Sequence, residues 1–209
     1  MKKLIASILC IVILFAFTAC EKETPLVETL PLPTQNDYSE YDFPDYSNMS
    51  EFSNLAQYAN MQGYCGWYYC YGSTDDEMYF MVYEPYSGSY RGESEIESYI
   101  QKDEWQPSNE FDIAACFKAP RAGKVTLSID VTLIYTQGNG DDGISFYCIT
   151  SVNSEEAFWA KYLIGSNPSA SEEIELTVQK GEVIYFVMSA NESRWNDLSR
   201  VSLNVSYGG

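Results

Sequence analysis

The pattern that most limits the fold lies in the middle of the chain, where Val125, Leu127, Ile129, Val131, Leu133 and Tyr135 alternate with polar Thr126, Ser128, Asp130 and Thr132. Successive side chains of a strand point to opposite faces of a sheet, so apolar residues at period two predict a strand with one face in a core. Turn chemistry bounds it: Pro120-Arg121-Ala122-Gly123 before, and Gly138-Asn139-Gly140-Asp141-Asp142-Gly143 after. The whole stretch from Phe111 to Ile149 reads as antiparallel sheet.

The same period runs through the rest of the chain. Gly63 to Gly72 is a dense aromatic strand, Met78 to Tyr83 a second, and Phe111 to Phe117 a third. Beyond the opening stretch, Ile144–Ile149, Ala157–Ile164, Ile174–Val178, Val183–Met188 and Val201–Tyr207 follow, with helix as the alternative for Ala157–Ile164. Residues 84–110 read as irregular and acidic. Short strands separated by turn signals, with no competing helical period, predict an all-β antiparallel two-sheet sandwich of the jelly-roll kind.

The first twenty residues are a separate matter. Lys2 and Lys3 precede an apolar run from Leu4 to Phe17, and Thr18-Ala19-Cys20 supplies small residues before a cysteine. At about 14 residues the run is short of the ~20 needed to cross a bilayer, which predicts a secretory signal rather than a span. The stretch resembles the lipobox of bacterial lipoproteins, although Phe17 stands where leucine is commonest. The resemblance implies that Cys20 becomes the lipidated first residue of the mature protein, whose only membrane contact is that lipid. The alternative is an uncleaved anchor, and both place the remainder outside the cytoplasm. Glu21–Asn54 is rich in acids and carries Pro25, Pro31, Pro33 and Pro44, so it reads as an acidic tether. Leu55–Gly209 then forms one domain.

Charge and residue inventory exclude several functions. The chain carries a net charge of −18, and loss of the signal's two lysines takes it to −20. That field repels nucleic acid and anionic lipid. There is no histidine, which excludes Ser-His-Asp and Cys-His catalysis and makes a zinc site improbable. No phosphate-binding glycine loop is present, and nothing sets two of the 30 acids apart as a glycosidase pair. A non-catalytic role follows. Cys65, Cys70, Cys116 and Cys148 permit two disulfides in three pairings, or four free thiols. Cys65 and Cys70, five apart, would face opposite sides of one strand and could not bridge each other.

The order of motifs GWYYCYG, WQPSNEFDIAACFKAPRAGKVTLSI, GNGDDGISFYCI and VQKGEVIYFVMSA resembles the jelly-roll modules found beside glycoside hydrolases and in bacterial surface proteins. The likeness spans Gly63 to Tyr207, and its motifs are short. It implies carbohydrate binding or an accessory role at the cell surface. In such modules Pro120, Gly123 and Gly181 shape turns. A histidine often precedes the proline of the W-x-P-like segment, whereas Gln106-Pro107 stands here, so any role of that histidine is absent.

Aromatic rings stack on the C–H faces of sugars, which makes tryptophans in polar loops the candidate ligand contacts. Trp105 (KDEWQPSN) and Trp195 (ESRWNDLS) sit in such contexts, with Asp197 beside Trp195 as a hydroxyl partner and Trp159 as an intermediate case. Trp67 and Tyr69 share one strand face and read as core. Asn139, Asp141 and Asp142 could hold a calcium ion, but the same residues suit a tight hairpin and do not match an EF-hand loop. The partner expected is a glycan. The alternative is another surface protein, with the acidic face of this chain against a basic one.

Overall fold

The computed structural model describes residues 43–74, 77–92, 97–134 and 142–208, and within them the regular secondary structure is almost entirely strand. Fourteen strands follow in order: β1 (Glu51–Ser53), β2 (Trp67–Gly72), β3 (Met78–Phe80), β4 (Val82–Glu84), β5 (Ser89–Arg91), β6 (Tyr99–Gln101) and β7 (Glu104–Gln106), then β8 (Asp112–Lys118), β9 (Gly123–Leu133), β10 (Ile144–Thr150), β11 (Trp159–Leu163), β12 (Ser169–Val178), β13 (Val183–Ala190) and β14 (Ser199–Tyr207). They form two antiparallel sheets. One has eight strands in the order β12-β9-β14-β7-β6-β5-β4, with β1 also paired to β14. The other has six, β11-β10-β13-β8-β2-β3. This is the β-sandwich that the period-two pattern predicts.

The sheets meet over a core built by that alternation. Val125, Leu127, Ile129, Val131 and Leu133 of β9 all point inward, as do Val201, Leu203 and Val205 of β14 beside them. Facing them are Trp67 and Tyr69 of β2, Phe117 of β8, Phe146 of β10 and Phe186 of β13. Trp67 lies 5.2 Å from Phe117 and 6.0 Å from Phe186, and Phe52 lies 5.0 Å from Phe117, all at tilted angles that suit the ring quadrupoles. Trp67 and Tyr69 are therefore core residues, as their shared face predicts. Residues Ala157–Ile164 contain strand β11, not helix.

Three features depart from the sequence pattern. First, ordered structure starts well before Leu55: Phe52 is buried in the core, and β1 pairs with β14. Asn54, also buried, accepts from the Leu203 amide at 2.8 Å and donates to the Val201 carbonyl at 3.3 Å, tying the entry segment to the sheet. Second, Met78–Tyr83 is two strands in two different sheets. The chain changes sheet at buried Met81, whose carbonyl, with that of Tyr69, is bonded by Gln62 Nε2 at 2.9 and 2.8 Å. Third, residues 84–110 hold the meander β5-β6-β7. Three residues are too few to display a period of two, so these strands leave no periodic trace.

The four cysteines of the described residues are free thiols. Cys70 and Cys116 lie on neighbouring strands with sulfurs 3.6 Å apart. Cys20 lies outside the described residues.

Buried phenols make the fold sensitive to alkali. Tyr58 donates to the carbonyls of Gly88 and Ile100, and burial pushes its pKa up to about 12. Burial also raises Tyr69 and Tyr185 well above 10. In the unfolded chain these phenols ionise near pH 10, so between the two values the unfolded state binds fewer protons and stability falls as pH rises. Alkaline titration at 295 nm is expected to show exposed tyrosines ionising near pH 10, and these three only in a later cooperative step that coincides with loss of far-UV sheet signal. Independent, gradual ionisation of all tyrosines would contradict this burial.

Candidate functional site

The segment after β13 gives the surface its most exposed indole. Val183–Ala190 ends the apolar run, and Asn191-Glu192-Ser193-Arg194-Trp195-Asn196-Asp197 turns the chain back into β14. Asn196 adopts φ +72°, a left-handed conformation that asparagine tolerates better than most residues. Trp195 stands out of this turn 66 % exposed, and the Arg194 guanidinium lies 5.2 Å from its ring centroid.

The turn is nevertheless anchored on several sides. The Asp142 carboxylate accepts from the amides of Glu192 and Ser193, the latter at 2.9 Å. Asn109 Oδ1 accepts from the Arg194 amide at 2.8 Å, and Gln106 Nε2 donates to the Arg194 carbonyl at 2.9 Å. Arg194 also forms an ion pair with Glu97. Tyr162 of β11, 53 % exposed, donates its hydroxyl to the Asp142 carbonyl, so a second exposed ring stands on the same anchor. Directly after it, Gly143 at φ +68° lets β10 start against the end of β11; a Cβ there would sit 1.9 Å from the Leu163 carbonyl oxygen.

The structure separates the residues that sequence reasoning grouped together. Trp105 is 0 % exposed, and this corrects its reading as a surface contact. It belongs to β7, paired through Ser199 to β14, which turns its ring inward to within 6.1 Å of Phe146. The polar neighbours that suggested a loop are the outward residues of a short hairpin. Trp159 is half-buried and packs edge-on against the same Phe146, also at 6.1 Å. Trp105 and Trp159 thus come together around Phe146 inside the sandwich. Asp197 is 0 % exposed too, so it offers no carboxylate to a ligand at the surface; its carbonyl accepts from Ser199 Oγ at 3.0 Å. Of the predicted ligand contacts, Trp195 alone is strongly exposed.

Of the residues considered for calcium, Asn139 and Asp141 lie outside the described residues. Asp142 spends its carboxylate on the β13–β14 turn. Among the described residues no group of three or more Cys, Asp or Glu side chains is disposed to hold a metal ion.

Sequence reasoning missed one further feature. At the opposite end of β13, a cleft of about 230 Å³ is lined by Phe43, Tyr46, Cys65 and Tyr68, with Lys118 and Lys180 beside them. Cys65 sits at φ +50° between Gly63 and Gly66, both also at positive φ, and burial raises its thiol pKa. The glycines flanking Tyr64-Cys65 were the visible signal. They mark a tight turn ahead of β2, not the strand's own ends.

No protein-family model matches the chain, and no curated protein matches it significantly. Among solved structures it is similar to a pika GITRL (TM-score 0.32, 7 % identity, 68 % of this chain and 96 % of that one). It is similar also to Xyl-CBM35 in complex with a glucuronic acid containing disaccharide (TM-score 0.37, 15 % identity, 62 % and 94 %). A family 35 carbohydrate binding module from Clostridium thermocellum gives a TM-score of 0.32 at 11 % identity over 57 % and 87 %. These are likenesses of β-sandwich architecture, and at such scores they carry no function across.

Asp142 is the keystone of the Trp195 turn. Asp142→Ala removes the acceptor of two amides and is expected to cost about 1 kcal/mol, a modest loss because those amides can reach water. Hydrogen exchange should speed up at Glu192 and Ser193 while the β8–β13 amides stay protected. Unchanged exchange in the turn would show that Asp142 does not hold it.

Proposed function

We propose that this chain is a non-catalytic binding module that recognises a carbohydrate by stacking on Trp195, and that it is held outside the cytoplasm by a lipid on Cys20. The observation that carries the reading is the conjunction at Trp195 of exposure and anchoring. An indole left 66 % open to water costs hydrophobic free energy in the unbound protein. A loop free to move would fold such a ring down, whereas this one is fixed from four directions by Asp142, Asn109, Gln106 and Glu97. Rigid presentation of an aromatic ring reduces the entropy lost on binding, which is what a stacking platform requires. Tyr162 supplies a second face on the same support, and the exposed Glu192 carboxylate can accept from sugar hydroxyls.

A protein partner is the second reading. It is favoured by β4, an edge strand of the eight-stranded sheet, where Val82 and the tip residue Tyr86 are exposed. In that reading the contact is a sheet edge and Trp195 is a bystander.

Of the four tryptophans, Trp67 and Trp105 are buried and Trp159 is half-buried, so acrylamide quenching reports chiefly on Trp195. A glycan array probed with the intact protein is expected to give hits. For those, ligand should protect the fluorescence from quenching, and Trp195→Ala should weaken binding roughly tenfold or more without lowering the melting temperature. An array without hits would sink the carbohydrate reading, as would binding that survives Trp195→Ala unchanged.

A further inference from the structure

The end of the sandwich away from Trp195 holds a second concavity, the cleft of about 230 Å³ beside the start of β13. Three rings wall it. Asp45 caps the short turn Tyr46–Asn48 by accepting from the Ser47 amide at 2.9 Å, which fixes the backbone under Tyr46. Tyr68 is held in place by stacking on Phe80 at 5.7 Å. Phe43 lies 6.4 Å from Tyr46 and meets Tyr68 over Gly63, where a Cβ would come within 3.1 Å of both rings. The remaining wall is made of two turns bonded to each other, Ala119-Pro120 and Lys180-Gly181. The Gly181 amide donates to the Ala119 carbonyl, and the Ala119 amide to the Glu182 carbonyl, both at 2.8 Å.

Charge sets this cleft apart from the rest of the surface. The chain has 30 acidic and 12 basic residues, yet the cleft is lined by Lys118 and Lys180 and, among the described residues, by no acid. Both lysines are exposed, so their ammonium groups stand where the cleft opens to water. Among the described residues neither forms an ion pair. The carboxylates beside them are committed elsewhere. Glu182 accepts from the Gln179 amide at 2.8 Å. Asp45, which feels the charge of Lys180, turns its two oxygens to the amide and hydroxyl of Ser47, each at 2.9 Å. Two like charges at the mouth of an apolar cleft repel, and an anion seated between them relieves that repulsion.

We propose that the cleft binds a small planar aromatic carboxylate, its ring packed among Phe43, Tyr46 and Tyr68 and its carboxylate set between Lys118 and Lys180. A flat ring gains most from aromatic walls, in offset-stacked or edge-on contact. The volume bounds the size. A cavity of ~150 Å³ is enough for benzene, so about 230 Å³ admits one ring, or two fused rings with a short acid arm. A neutral ligand of the same shape would leave both cations unused. The site lies at the other end of β13 from Trp195 and is independent of the carbohydrate reading.

Indole-3-acetate and its neutral analogue indole-3-acetamide test this on the intact protein by isothermal titration calorimetry. The acid is expected to bind roughly fivefold more tightly than the amide, about what two exposed lysine–carboxylate contacts supply. Added salt should narrow the gap. In the double variant Lys118→Gln, Lys180→Gln the two probes should bind equally, with the melting temperature unchanged. Trp195→Ala should alter neither affinity. Cys65 reports the location, because it lines the cleft and Cys70, Cys116 and Cys148 do not. Indole-3-acetate should slow alkylation of Cys65 by N-ethylmaleimide more than that of the other three. Failure of the acid to bind at millimolar concentration would overturn the proposal. So would equal affinity for acid and amide in the native protein, or binding that leaves Cys65 as reactive as before.

Discussion

Everything in this molecule hangs on the aromatic layer trapped between the two sheets. Trp67, Phe117, Phe186 and Phe52 interlock at centroid distances of 5–6 Å over the aliphatic faces of β9 and β14. Rings of this size fix the sheet separation and leave no latitude for register slips, since a shift by one residue would turn every apolar side chain of a strand to the wrong face. That constraint also decides which tryptophans can meet a ligand. A ring on an inward position of a paired strand is taken by the core whatever its sequence neighbours are. Trp195 stays at the surface because its segment leaves the sheet, and Tyr162 because it stands on the outward side of an edge strand.

Where the segments leave the sheet is therefore the functional question, and the two ends of β13 answer it differently. One end carries the anchored turn with Trp195 and, across Asp142, Tyr162. The other carries a concave aromatic cleft whose rings are half-buried, with two of the chain's few cations beside it. The first stands open to water, and the second is concave. The eight residues of β13 hold them at opposite ends of the sandwich.

The long strands were legible in the sequence because period two repeats in them often enough to be seen. β9 shows it over eleven residues and β14 over nine, and both stand where the pattern puts them. β4 to β7 have three residues each and reveal nothing by periodicity. That gap in turn misplaced Trp105: with β7 invisible, the polar residues around it looked like a loop. The start of the domain was obscured for a related reason. A single deep anchor, Phe52, and one buried amide, Asn54, hold the entry segment, and neither stands out against acidic, proline-bearing surroundings. Trp195 was legible because its neighbours have no strand pattern and the strands on both sides do.

β12 lies at the outer edge of the eight-stranded sheet and is ten residues long, which would ordinarily make it a template for another chain. It carries Glu172, Glu173 and Glu175, and of these Glu175 is engaged by Lys124 at 2.7 Å. Side chains alternate along a strand, so two copies meeting edge to edge would bring Glu173 and Glu175 of each onto one face, where each close like-charge pair costs free energy. The glutamates thus act as spacers between molecules. A second copy of the chain is thereby kept from extending the sheet at this edge.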